Sequence, residues 1–157
     1  MRQLCIDLLK ERTVELEDIV ECVAYLQEEF NSHIDREIIM SDIMGILDKR
    51  EVQHTVMTGI SIDMAVEQKN FGNKIICDII NEDNGLYGID EVLAYSICNL
   101  YGSIALTNFG FIDRVKPGII GELNKHKDGV CNTYLDDVVG AIAAAAASKH
   151  AHKGVAK

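Results

Sequence analysis

Two pairs of adjacent carboxylates stand where helices should begin: Asp90-Glu91 in the run Gly88-Ile89-Asp90-Glu91-Val92, and Asp136-Asp137 in Tyr134-Leu135-Asp136-Asp137-Val138. Each pair leads into one of the two most apolar segments of the chain, residues 92–106 and 138–147. Four carboxyl groups are thereby tied to what should be the core. An uncompensated buried carboxylate is expensive, and a hard divalent cation with oxygen ligands offsets such a charge directly. The plainer alternative is that both pairs are helix-start acids answering the dipole and the free amides of a first turn. If the two helix N-termini lie side by side, the four carboxylates converge in one pocket.

The segment between the two helices supplies a second element. Residues 108–120 are glycine-rich and carry Asp113, Arg114 and Lys116, the last directly before Pro117. A lysine fixed beside a metal can bind and neutralise a phosphate; the alternative is a surface lysine before a proline. Other candidates are weaker. Glu51-x-x-His54 has the helical spacing of di-iron carboxylate bundles, but those sites need two such pairs and this chain has one. Glu51, with Arg50, could still line the pocket from a helix start, with His54 on a helix surface. His150 and His152 in the Lys-rich tail read as frayed surface. Met40, Met44, Met57 and Met64 fall at core positions.

The elements that must position these groups are helical. The chain has a single proline and few alternating apolar runs. Leu4, Leu8 and Leu9 give a first helix ending near Arg12, and Thr13 can cap a second through Leu26. Asn31-Ser32 breaks the pattern, after which Ser32 or Asp35 starts a third helix. A fourth covers Glu51 to Gln68, and a short one carries Ile75 to Ile80. Residues 81–88 form a loop delivering Asp90 to a helix start. Residues 108–121 read as loop or broken helix and 125–129 as a turn. The last helix opens on a capping box, Thr133-x-x-Asp136, and runs to about His150. Glycine and alanine make that helix thin almost all round, so neighbours can approach it closely. The expected fold is an all-α, single-domain helical bundle over residues 1–157, with one or two central apolar helices surrounded by amphipathic ones.

Composition bounds the function. With 157 residues the chain is long enough for one substantial core, and 48% apolar and 25% charged residues are ordinary globular values. The formal charge of −10 argues against nucleic acid or an anionic membrane surface as a tightly held partner, since both would be repelled. Five scattered cysteines with no C-x-x-C pair, and Arg2, Asp7 and Lys10 in place of a signal peptide, point to reduced thiols in a cytoplasmic protein. No His/Cys set has zinc spacing, and no cysteine has a paired base. Neither apolar segment reaches the ~20 residues a transmembrane helix requires.

The ordered set Asp90-Glu91-Val92, Phe111-x-Asp113-x-x-Lys116-Pro117 and Leu135-Asp136-Asp137-x-x-Gly140-Ala141 resembles the phosphatidylglycerophosphatase A family. It looks closest to the Gram-positive branch of low-temperature-requirement C proteins, over about residues 40–150. The resemblance implies an all-helical, Mg²⁺-dependent phosphatase, with Mn²⁺ as an alternative ion, that removes phosphate from phosphatidylglycerophosphate. It places Asp90, Glu91, Asp136 and Asp137 as metal ligands, and Asp90, Asp113, Lys116 and Asp136 as the catalytic set. Membrane-bound members carry a Gly/Pro-rich motif near the N-terminus and transmembrane segments, and this chain shows neither.

The expected partner is therefore a phosphorylated lipid head group met peripherally at the membrane surface. A docking patch for that encounter would combine Arg114, Lys116, Lys125 and Lys127 with Phe109, Phe111, Ile119 and Ile120, unless those apolar residues are core. Three other readings stay open: a non-catalytic binder of a phosphorylated lipid or nucleotide, a phosphatase of a soluble phosphorylated substrate, and a structural helical bundle whose carboxylates are caps. Homo-oligomer formation is also left open.

Overall fold

Every residue from Leu135 to Ser148 is buried, on all faces of one helix. An amphipathic stripe cannot do this; the alanine-rich sequence can, because small side chains let neighbours pack close from every direction. The computed structural model describes residues 1–28 and 35–155. Within them the helices are α1 (Arg2–Glu11), α2 (Leu16–Gln27), α3 (Arg36–Leu47), α4 (Arg50–Glu67), α5 (Lys74–Asn81), α6 (Ile89–Cys98), α7 (Ser103–Val115), α8 (Ile119–Leu123) and α9 (Leu135–Val155). Helix α9 is the axis, touched by α2, α3, α4, α6, α7 and α8. The fold is all-α, and among the described residues the sole β feature is an isolated bridge from Lys127 to Val130.

Two glycines let helices cross closely. A Cβ at Gly59 of α4 would lie 3.2 Å from Val138 and 3.3 Å from Tyr134. One at Gly121 of α8 would meet the Lys116 carbonyl oxygen at 2.5 Å, so α8 passes directly over the end of α7. A smaller cluster of Val66, Cys77, Ile80, Cys131 and Tyr134 ties α5 and the entry to α9 against the end of α4. All five cysteines are free and buried.

Several sequence expectations are corrected. The apolar run 92–106 is not one central helix. It divides at residues 99–102, where Gly102 takes φ +82° before α7 begins. Its first half is peripheral, with Val92 60% and Tyr95 41% exposed, so the bundle has one central helix. Residues 108–121, expected as loop or broken helix, are the broken helix: 108–115 complete α7 and the chain resumes as α8, Gly110 costing α7 little where its neighbours supply core contacts through Phe109 and Ile112.

Capping also differs. Thr13 lies past the end of α1 at φ +66°, and α2 is capped by Glu15 with Asp18 in a reciprocal box. Asp35 caps α3 through the amides of Glu37 and Ile38, whereas the expected break at Asn31-Ser32 lies outside the described residues. The Thr133 hydroxyl donates to the carbonyl of Ile80 and so does not cap α9, which continues past His150 to Val155.

Candidate active site

The start of α9 is fixed by a residue from another helix. Asp63 of α4, fully buried, accepts the backbone N–H of Tyr134 at 3.1 Å through Oδ1 and that of Leu135 at 3.0 Å through Oδ2. It supplies the cap that Thr133 does not. Burial pushes its carboxyl up to about 7, although both amides, the Cys131 thiol and the Arg12 charge pull the other way. Arg12 secures the approach to α9, donating to Glu67 at 2.6 Å, to the Cys131 carbonyl at 2.5 Å and to Asn132 Oδ1 at 2.8 Å. Asp136 and Asp137 follow at once in the first turn of α9, each 3% exposed.

The first turn of α6 arrives beside them. Gly88 adopts the left-handed region at φ +64°, which lets the 81–88 loop bend into the helix and set Asp90 and Glu91 in its opening turn. The end of α7 closes the group. Lys116 caps that helix in the left-handed conformation at φ +49°, and Pro117 stops the chain from continuing. Its ammonium sits 2.9 Å from Asp113 Oδ1 and 2.9 Å from Asp136 Oδ2, bridging α7 to α9.

One cleft of about 170 Å³ is lined by Asp83, Asp90, Glu91, Asp113, Asp136 and Asp137 together with Lys116. Six carboxyl groups thus line the cleft together with the Lys116 ammonium, which contacts Asp113 and Asp136. Burial raises Asp136 to about 6 against the pull of Lys116. Burial also raises Asp137, and the charges of Asp136, Asp113 and Asp90 push it further. Asp90 is raised by burial too, its helix N-terminus opposing. Burial works against the Lys116 charge, but Asp136 and Asp113 outweigh it and hold the ammonium protonated.

The donors suit a hard cation. The cleft is lined by oxygen groups, with neither His nor Cys. Asp90 Oδ1 and Asp137 Oδ2 are buried without a hydrogen-bond partner, which leaves each in need of one. Among the described residues no group of three His, Cys, Asp or Glu side chains is arranged to hold a metal ion by itself. Mg²⁺ does not require such a group, since it keeps several waters and is held by one or two carboxylates plus a substrate phosphate. The residues present fit such an ion.

Asp90, Glu91, Asp113, Lys116, Asp136 and Asp137, singled out in the sequence, therefore share one cleft. Glu51 and His54 do not join them. Both are exposed in the first turns of α4, and Glu51 lies about 18 Å back along that helix from Asp63. His150 is not frayed surface but half-buried, 3.6 Å from Asp42 at the far end of α9. The apolar half of the expected docking patch is largely core: Phe109 and Ile120 are 1% exposed. Phe111 is exposed and stacks on Tyr25, and Lys125 pairs with Glu122 at 2.5 Å.

Three contributors lie beyond the reading of the sequence: Asp63, Arg12 and Asp83. The first two act over separations of 71 and 119 residues, where no local spacing signals them. Asp83 belongs to the loop that delivers Asp90, and its acidic Glu82-Asp83 step is the available signal.

An all-helical bundle with an acidic cleft and one pinned lysine suits metal-assisted phosphate chemistry. Residues 19–152 match the phosphatidylglycerophosphatase A family, and the chain belongs to that family. The uncharacterized protein YutG of Bacillus subtilis (strain 168) is 46% identical over 145 residues, covering 92% of this chain and 87% of its own. The crystal structure of the low temperature requirement C protein from Listeria monocytogenes superposes with a TM-score of 0.94 at 46% identity, covering 98% of this chain and 96% of that one. The YpjQ protein of Bacillus subtilis is similarly close, with a TM-score of 0.95 at 42% identity over 99% and 96% of the two chains.

Proposed function

We propose that this chain is a divalent-metal-dependent phosphomonoesterase that releases the terminal phosphate of phosphatidylglycerophosphate. The observation that carries the proposal is the pair of unpartnered buried oxygens, Asp90 Oδ1 and Asp137 Oδ2, in the cleft where Lys116 is pinned. Asp90, Glu91, Asp136 and Asp137 would hold Mg²⁺, or Mn²⁺ in its place, and the ion supplies a Lewis acid for a phosphoryl oxygen and a lowered pKa for a bound water. Lys116, kept charged by its two carboxylates, is positioned to take negative charge developing on the phosphoryl oxygens. Asp113 and Asp136 fix that ammonium, so no reorganisation is needed when the charge appears.

A carboxylate of the cleft, Asp90 or Asp136, orients an attacking water or itself attacks phosphorus. Single inversion at a chiral phosphate identifies the first route and net retention the second. No helix of the described residues is long and apolar enough to cross a membrane, so a lipid substrate must be met at the bilayer surface. Leu86 and Ile89, on the loop and helix start bordering the cleft, are 96% and 53% exposed and suit contact with an interface. The test is phosphate release from phosphatidylglycerophosphate in mixed micelles. Release with millimolar Mg²⁺ and its loss with a chelator are expected; release unaffected by the chelator sinks the metal-dependent mechanism.

A further inference from the structure

The acidic cleft opens into a second hollow of about 160 Å³, and the two share Asp83, Asn124 and Asp136 as walls. The lining changes character across that boundary. Beyond it the walls carry Asn81 at the end of α5, and Lys125 and His126 on the turn that follows the shared Asn124 at the end of α8, with Glu82 at the edge. Asn132 and Thr133 also face this hollow, but their groups are engaged with Leu123, Arg12 and Ile80. The carboxamides of Asn81 and Asn124 make no hydrogen bond among the described residues. One compartment is thus crowded with carboxylates around a lysine, and the adjoining one adds the amide donors and acceptors of Asn81 and Asn124 to the charged groups at its walls, Glu82, Asp83, Lys125 and Asp136.

From this geometry we infer that the second compartment is the alcohol subsite, which takes a short hydroxyl-bearing group esterified to the phosphate and reads it through Asn81 and Asn124. The inference rests on the phosphatase reading for the direction of the ester. With the phosphoryl group beside Lys116, the esterified oxygen leads past Asp136 into the hollow that shares walls with the acidic cleft. On hydrolysis the water oxygen forms the new bond to phosphorus, the ester P–O bond breaks, and the departing alcohol oxygen takes up a proton. A group left in this compartment finds two carboxamides suited to hydroxyls, each offering both a donor and an acceptor. The volume, well under the ~300–1,000 Å³ of drug-sized ligand sites, admits a few-carbon polyol and leaves acyl chains outside.

Glycerol 3-phosphate and methyl phosphate, which share the phosphomonoester and differ in the hydroxyls, are the probes. NMR titrations of the full chain with Mg²⁺ give Kd for each, in the wild type and in Asn81→Leu and Asn124→Leu. Both positions are exposed, and leucine is close to asparagine in size. The wild type is expected to favour glycerol 3-phosphate, and each variant to reduce that preference roughly fivefold, the worth of one ordinary hydrogen bond. Equal wild-type affinity for the two probes, or variants that weaken both alike or neither, overturns the assignment. Phosphate release is followed separately: a retained binding preference with no release from any monoester sinks the phosphatase reading and leaves the subsite standing.

Discussion

Lys116→Met isolates the charge at the centre of the cleft. Methionine keeps the length and the apolar stem, and it meets the same left-handed strain at φ +49° that lysine does, so backbone cost cancels. What is lost is an ammonium 2.9 Å from Asp113 and from Asp136, the latter with a side chain only 5% exposed. Removing one partner of a fully buried pair costs about 3–5 kcal/mol; Lys116 is 28% exposed, which lowers the expectation to about 1–3 kcal/mol at pH 7.

The pH dependence distinguishes this from lost packing. Asp136 titrates at about 6 when folded, above its ordinary 3.8. A carboxyl raised by folding stabilises fully below its unfolded pKa, and that stability is lost as pH climbs through the folded value. The wild type therefore loses about 3 kcal/mol in all through this group, about 2 kcal/mol of it between pH 4 and 6. Without Lys116 the folded value rises further, and the falling limb extends above pH 6. Urea denaturation followed by circular dichroism at pH 4 to 8 measures it, as does melting, at about 2–4 °C per kcal/mol for a chain of this size. The variant should match the wild type near pH 4 and separate from it steadily toward pH 8. A deficit of the same size at pH 4 and pH 7 refutes the electrostatic account and makes Lys116 a packing residue.

Divalent cations should act most where the carboxylates repel most. Millimolar Mg²⁺ should raise Tm strongly at pH 8 and little at pH 5, by mass action on the folded state, and Asp137→Asn should blunt the response; an unchanged Tm in both proteins counts against the ion site. Asp63→Ala removes both acceptors from the first amides of α9, leaving buried donors that cost about 1–3 kcal/mol each, and phosphate release should fall with the displaced Asp136 and Asp137; full stability in denaturant melts would show that the cap is dispensable. Gly121→Ala drives a methyl to 2.5 Å from the Lys116 carbonyl, so a loss of about 1–3 kcal/mol and reduced release are expected, whereas Gly110→Ala, with nothing within 4 Å, should stabilise α7 slightly.

What can be read in advance has local causes. The acidic pairs sit at helix starts because first-turn acids answer free amides, and the alanine-rich run of α9 announces burial on every side. The Lys116-Pro117 step shows a stop, although not that Lys116 turns back toward Asp136. The division of residues 92–106 is hidden because Leu100 and Tyr101 carry the apolar pattern across it, and the break lies in the backbone of Gly102. The end of α7 is hidden for a related reason: Gly110 and Pro117 suggest a loop, whereas Phe109 and Ile112 in the core secure the helix. Thr133 has the spacing of a cap, but the Ile80 carbonyl competes for its hydroxyl and Asp63 holds the amides from another helix. Such long-range partners leave no periodicity in the sequence.

The central claim is that the carboxylates of α6 and α9 hold a divalent ion facing Lys116. Crystals of the protein soaked with Mn²⁺ and inorganic phosphate test it by anomalous diffraction. The account predicts a manganese peak bound by Asp90 and Asp137, with the phosphate between the ion and the Lys116 ammonium. A peak confined to other surface carboxylates, with this cleft showing neither ion nor phosphate, would contradict it.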